Sequence, residues 1–280
     1  MKLMDRPNNV TSDREKLLIV GASGTRKTSA LIQLAVQYPG VGVAIIDPDD
    51  GVPRVVRDYG GWEAVPNLIH LPCPVWDDVE TQYAQIKPLL EPGDWLCIDM
   101  IGQLYQMAHD DYIARKYNMT VEDFRFGKKV AGTKLGFGGL APDDWEIIRL
   151  AHDSIIQDAI RRLPCNVMLT AGVKPIIFTE RSVQGNKETV PLYYAPEKWI
   201  PRKVMPVMEK SVDYAVSTVL YLSSRDIPVG RDVTLEFSMA TVGKDRGRIP
   251  ISTTFEMLWM DYCRAVGLNE YLDHSPGEEN

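Results

Sequence analysis

The chain has 280 residues, 45% of them hydrophobic and 25% charged, a size and balance that fit one large or two small packed domains and exclude wholesale disorder. Its 31 basic and 38 acidic side chains give a net charge of −7, which argues against nonspecific coating of a polyanion while leaving room for a local basic groove. No apolar stretch approaches the roughly 18 to 20 residues of a membrane span, and the opening MKLMDRPNNVTSDREK has no apolar signal core, so a cytoplasmic protein without membrane contact is expected.

Residues 1–14 read as an N-terminal arm. Lys16 to Val20 (KLLIV) is a short apolar run that opens into GASGTRKTS, and TSALIQLAVQY then carries apolar residues at helical spacing: strand, Gly-rich turn, helix. Val41 to Ile46 predicts a buried parallel strand that ends in Asp47, Asp49, Asp50 and Gly51. LIHL (68–71), a helix from about Asp77 to Leu90, an EPGD turn and WLCID (95–99) continue the alternation.

A helix is expected from about Gln103 to Tyr117, and the glycine- and lysine-rich stretch 127–139, with Lys128, Lys129 and Lys134, reads as a loop. Pro142 to Asp144 opens a long helix with Ile148, Ile155, Ile156 and Ala159 on one face, leading into a buried strand NVMLTA (166–171). From Gly172 to Lys210 regular signals fade, and a loop of that length in a packed domain is usually functional. Tyr214 to Leu222 and Val233 to Val242 read as two strands of a hairpin. Thr253 and Glu256 have the spacing of a capping box, which predicts a C-terminal helical segment over 251–272 before a frayed tail, 273–280. Cys73, Cys97, Cys165 and Cys263 are scattered singly, as are His70, His109, His152 and His274, so neither a disulfide framework nor a zinc site is expected.

The sharpest signal is Gly21, Ala22, Ser23, Gly24, Thr25, Arg26, Lys27, Thr28, followed by Ser29. It matches GxxxxGK[ST] except that Arg26 stands where the last glycine belongs. Between a strand and a helix, successive backbone N–H groups and the positive helix end can hold phosphate oxygens. Lys27 would reach the β- and γ-phosphates and the Thr28 hydroxyl would coordinate Mg²⁺. Arg26 would occupy a left-handed backbone at a cost of about 1 to 2 kcal/mol, which the charged hydrogen bonds to phosphate exceed. Asp99, at the carboxyl end of WLCI, is the second candidate Mg²⁺ ligand. Met100 follows it where some P-loop classes keep a water-activating acid, so Asp47, Asp49 or Asp50 is the alternative source of that carboxylate.

This arrangement resembles that of RecA-type ATPases, in which the corresponding strand ends in Asp-x-Glu and the second acid is the base; the match assigns that role to Asp49. The resemblance also puts Thr170 at a γ-phosphate sensor position. It makes Lys244 and Arg246, in KDRG, finger residues that reach a neighbouring subunit's nucleotide. Over about residues 15–250 the chain is similar to phage-encoded RecA-core ATPases that assist single-strand DNA annealing. In that group the segment after the sensor strand binds DNA, which here implies Lys174, Arg181, Lys187, Tyr193, Tyr194, Lys198, Trp199, Arg202 and Lys203, cations interleaved with rings that can stack on unpaired bases. The resemblance implies an α/β, RecA-like core with a mostly parallel twisted sheet and an antiparallel extension, ATP and Mg²⁺ as cofactors, and a ring or filament of identical subunits on single-stranded DNA in a host cytoplasm. A ring-forming helicase motor, a nucleotide switch without turnover and a metabolite kinase remain open at this point.

Overall fold

The computed structural model describes residues 14–124, 140–183, 186–192, 197–228, 234–245, 249–256 and 262. The expected arm, the lysine-bearing stretch 127–139, the body of the expected last helix and the tail lie outside these residues.

Strands β1 (Lys16–Gly21), β2 (Val43–Asp47), β3 (Leu68–Pro72), β4 (Trp95–Ile98), β5 (Asn166–Ala171), β10 (Thr218–Pro228), β11 (Thr234–Lys244) and β12 (Thr254–Glu256) form one sheet in the order β12-β11-β10-β1-β5-β4-β2-β3. From β10 to β3 every neighbouring pair is parallel, whereas β11 and β12 run antiparallel. This is the α/β architecture, mostly parallel with an antiparallel extension, that the resemblance implies.

The helices that cross over between parallel strands cover both faces, so the central strands are apolar throughout rather than alternating. In β1, Leu17 and Ile19 pack with Leu31 and Leu34 of α1 (Lys27–Gln37) and with Val52 and Val56 of α2 (Val52–Asp58). Leu18 and Val20 face the opposite layer. That layer is built from Trp76, Val79 and Tyr83 of α3 (Trp76–Ile86), Ile101 and Leu104 of α4 (Ile101–Tyr117), Ile148, Ile155 and Ile156 of α5 (Pro142–Arg162) and Val212 of α6 (Lys210–Ala215).

Three expectations are corrected. The segment 172–210 is not an irregular loop. Short β6 (Val173–Pro175) pairs antiparallel with β9 (Val204–Pro206), and between them β7 (Phe178–Val183) and β8 (Asn186–Pro191) form a hairpin of their own. Tyr214 belongs to α6, and its strand begins only at Thr218, because Glu209 to Val216 close one helical turn and a half before the chain extends. Thr254–Glu256 is strand β12, paired through Met239↔Glu256 and Thr241↔Thr254, so Glu256 is not the third residue of a helix. The pairing supplies the backbone partners that a capping box would otherwise provide.

Candidate functional site in the P-loop cleft

The carboxyl ends of β1, β2, β4 and β5 lie along one edge of the sheet, where ligands bind in open α/β folds. Register decides which side chains meet there. Ile98 pairs with Leu169 and with Ile46, so the next residues, Asp99, Thr170 and Asp47, come together. Asp99 N–H donates to the Ile46 carbonyl at 2.9 Å and extends the ladder by one bond.

The loop between β1 and α1 turns as the glycine pattern requires. Gly24 has φ 82° and Arg26 φ 62°, so Arg26 does sit in the left-handed region that the missing glycine would have occupied without strain. Thr25 Oγ1 donates to the Ala22 carbonyl at 2.9 Å, closing the loop on itself. Lys27 Nζ donates to the carbonyls of Gly21 (3.0 Å) and Ala22 (2.8 Å), which parks the ammonium inside the loop. Burial lowers its pKa, against the opposing pull of Asp99 and Asp49.

Thr28 Oγ1 donates to Asp99 Oδ2 at 2.6 Å, and Thr170 Oγ1 donates to Asp99 Oδ1 at 2.5 Å. Both Asp99 oxygens are therefore held. Burial raises its pKa, opposed by those two hydrogen bonds. Asp49, more exposed, is pushed up to about 6, first by desolvation of its carboxylate and then by the negative charge of Asp99 and its contact with Asp47. A Cβ added to Gly51 would lie 3.1 Å from Asp49 Oδ1 and 3.9 Å from Thr28 Oγ1, so these three groups crowd one corner.

Asp47 has a different task. It accepts from the N–H groups of Gly51 (3.2 Å) and Val52 (3.0 Å) at the start of α2 and lies 2.9 Å from His70 Nε2. Burial would raise its pKa, but the bonds from His70 and Val52 outweigh it and hold the carboxyl below its ordinary value. The role of His70, which also stacks on Trp62 with ring centroids 5.7 Å apart, was not legible from LIHL. Only the β2–β3 pairing brings it beside Asp47.

One carboxylate oxygen from each of Asp47, Asp49 and Asp99 can lie within 4.8 Å of the others. An all-oxygen donor set of clustered acids, two of them buried, suits a hard divalent cation, whose charge would relieve their mutual repulsion. Within it the Thr28 hydroxyl and Asp99, side by side, are the pair that fits Mg²⁺, with Asp47 and Asp49 adding negative charge nearby.

Thr28 and Asp49 open on a cleft of about 650 Å³, with Asp47 and Asp99 buried behind them, within the range of small-molecule sites. Ser23, Gly24, Arg26, Lys27, Thr28 and Ser29 form one wall, and Met100, Gly102, Gln103 and Gln106 of the α4 start another. Gly172, Val173 and Val207, at the root of the β6–β9 ladder, close the third. The α4 and ladder walls carry no sequence motif, and the sequence pattern does not mark them.

Other expected site residues are dispersed or differently engaged. Thr170 accepts from Met100 N–H at 2.7 Å as well as donating to Asp99, so its hydroxyl steadies the acid rather than facing a phosphate. Lys244 Nζ donates to the carbonyls of Asp213 and Val216 (2.8 Å to the latter) in its own chain. Arg246 lies outside the described residues. Trp199 is only 2% exposed, packed near Tyr221, so its ring is closed to base stacking, contrary to expectation. Lys174 and Lys203 are exposed, and the Arg202 guanidinium lies over the Tyr221 ring at 4.5 Å. Arg181 and Lys187 fall on the β7–β8 hairpin and Lys198 on the 3₁₀ turn Glu197–Arg202, while Tyr193 and Tyr194 lie outside the described residues.

No protein-family model and no curated protein sequence matches this chain. Among solved structures it is similar to a RadB recombinase (14% identity, TM-score 0.45, 87% of this chain and 86% of that one) and to the ATPase domain of G40P (11% identity, TM-score 0.41, 87% and 80%).

Proposed function

We propose that this chain is a RecA-like ATPase that hydrolyses ATP and acts on single-stranded DNA in recombination or annealing, as an assembly of identical subunits. One observation carries the nucleotide half of this reading. Lys27 and Thr28 of the strand–loop–helix turn line the cleft, and Asp99, just past the end of β4, backs it from below, with Thr28 Oγ1 and Asp99 Oδ2 2.6 Å apart. A fortuitous glycine turn would have no reason to face a buried acid from across the sheet.

The loop amides from Ala22 to Lys27 would hold the phosphate tail, aided by the positive end of α1. Lys27 would leave the Gly21 and Ala22 carbonyls and neutralise charge on the β- and γ-phosphates. Asp49 would orient and deprotonate the attacking water, and Thr170 would keep Asp99 ionised and aimed. Mg²⁺ held by Thr28 and Asp99 would supply electrostatic stabilisation of the transferred phosphoryl group. Arg246 remains the candidate finger from a neighbouring subunit. The exposed cations Lys174 and Lys203, with the hairpin that bears Arg181 and Lys187, are the proposed DNA contacts.

The test is phosphate release from ATP with and without single-stranded DNA. Wild type should turn over and be stimulated by DNA; Lys27→Ala should lose at least about a hundredfold in rate, in line with removal of a principal charge-stabilising group. A specific observation favours a second reading, a nucleotide-binding switch with little turnover: Asp49 has a shorter reach than the expected acid and shares its corner with two other carboxylates. ATP binding without phosphate release, even with DNA, would select the switch.

A further inference from the structure

Among the described residues that line the cleft, Gln103 is the one with a buried side-chain polar atom that lacks a partner. Gln103 sits in the first turn of α4 and lines the cleft, and its Oε1 is buried without a partner. Among the described residues its side-chain amide makes no hydrogen bond. Buried polar atoms are satisfied with few exceptions, and an exception beside a phosphate loop points to a ligand group that completes it. Its neighbour Gln106 is no substitute, because that amide is committed to Asp110 Oδ1 at 2.5 Å and to His109.

The backbone that carries Gln103 is fixed on three sides. Its N–H donates to the Met100 carbonyl at 2.8 Å, and Met100 in turn holds a left-handed φ of 74° with its own N–H on Thr170. A Cβ added to Gly102 would lie 2.7 Å from the Val207 carbonyl, so the first turn of α4 is seated tightly against the ladder wall. The amide can swing, but its root cannot retreat. Meanwhile the single hydroxyl proton of Thr170, the residue expected at the sensor position, is already donated to Asp99.

We infer that Gln103 is a further catalytic residue, whose amide contacts the γ-phosphate end of the nucleotide: Nε2 donates to a terminal phosphate oxygen and Oε1 accepts from the attacking water. In that step the water oxygen bonds to the γ-phosphorus. The bond from phosphorus to the β–γ bridging oxygen breaks, its electron pair leaves on ADP, and the water proton passes to Asp49. The inference rests on the nucleotide reading above and assigns to Gln103 the discrimination between a triphosphate and a diphosphate.

The experiment measures equilibrium binding of ATP and of ADP, with magnesium, and steady-state turnover for wild type, Gln103→Ala and Gln103→Glu. Loss of a hydrogen bond to a charged group should weaken ATP about tenfold in Gln103→Ala and lower kcat by at least as much, while ADP binding stays within about twofold and certifies the fold. The isosteric Gln103→Glu should lose more on ATP than on ADP, because its carboxylate opposes the extra phosphate. An ATP-to-ADP affinity ratio and kcat within about twofold of wild type in both variants, or equal losses on both nucleotides, would overturn the inference while leaving the nucleotide reading intact. Wild type that binds neither nucleotide would overturn the reading itself.

Discussion

At the residue scale the phosphate loop combines one strained position with one that allows no side chain. Arg26 holds φ 62° where glycine would be unstrained, so the backbone contribution can be isolated by comparing two substitutions that both remove its guanidinium. Arg26→Gly should be more stable than Arg26→Ala by about 1 kcal/mol in urea denaturation, since only alanine keeps the Cβ clash of the left-handed region. Equal stability would mean that the turn relaxes to another conformation. Gly21 is constrained by space instead: a Cβ there would lie 2.3 Å from Thr25 Oγ1 and 3.0 Å from the Leu222 carbonyl. Gly21→Ala should cost about 1 to 3 kcal/mol and weaken nucleotide binding by pushing Thr25 off the Ala22 carbonyl. The double variant Gly21→Ala, Thr25→Ala should recover part of the stability, because the hydroxyl at closest approach is gone.

At the scale of elements, α4 and α5 are clasped through a single carboxylate. Asp144, in the first turn of α5, accepts from Tyr112 (2.7 Å), from Tyr117 (3.1 Å), from the Lys116 ammonium and from the Ala141 N–H (2.9 Å). Burial would raise its pKa, but Lys116, Tyr112 and the Ala141 amide together hold it well below the usual carboxylate range. A folded-state value below the unfolded one, about 3.9, means that the stabilisation is complete above that pH and fades as pH falls towards the folded value. Asp144→Asn should therefore cost about 1 to 3 kcal/mol at pH 7, read from urea midpoints, with the gap to wild type narrowing below about pH 4. A gap independent of pH would remove the charge from the explanation. The same helix shows why some elements were legible: acids at its start, arginines at its end and apolar residues at helical spacing all agree. The β7–β8 hairpin offered no such agreement. FTERSV and NKETVP interleave charged and hydroxyl residues without an alternating apolar pattern, and β6 and β9 find each other only across the whole intervening segment. Thr253 and Glu256 misled for a related reason, since a spacing that suits a helix cap is also present in a strand whose partner, β11, is set by long-range pairing.

For the whole molecule, the site was legible where one stretch of sequence carries its chemistry and illegible where register supplies it. Lys27, Thr28 and Asp99 follow from motif and strand end; the partnership of Thr170 with Asp99, of His70 with Asp47 and the position of Gln103 exist only once β2, β3, β4 and β5 are aligned. The same architecture separates a rigid nucleotide edge from a hairpin that pairs with itself alone among the described strands and springs from the ladder wall of the cleft. Its root is closed, since Leu192 N–H donates to the Ile177 carbonyl at 2.7 Å and Phe178 pairs with Pro191. Replacing Thr179–Val190 by a two-residue Asn-Gly turn should therefore leave the sheet intact, with thermal unfolding and DNA-free ATP turnover close to those of the full chain. Single-stranded DNA binding should weaken, and the slope of its logarithm against log salt should flatten by about 1.4, the share of the two phosphates that Arg181 and Lys187 would neutralise. If turnover falls with the hairpin while the salt slope is unchanged, the hairpin serves the nucleotide wall rather than the DNA, and the DNA contacts must be sought among Lys174, Arg202 and Lys203.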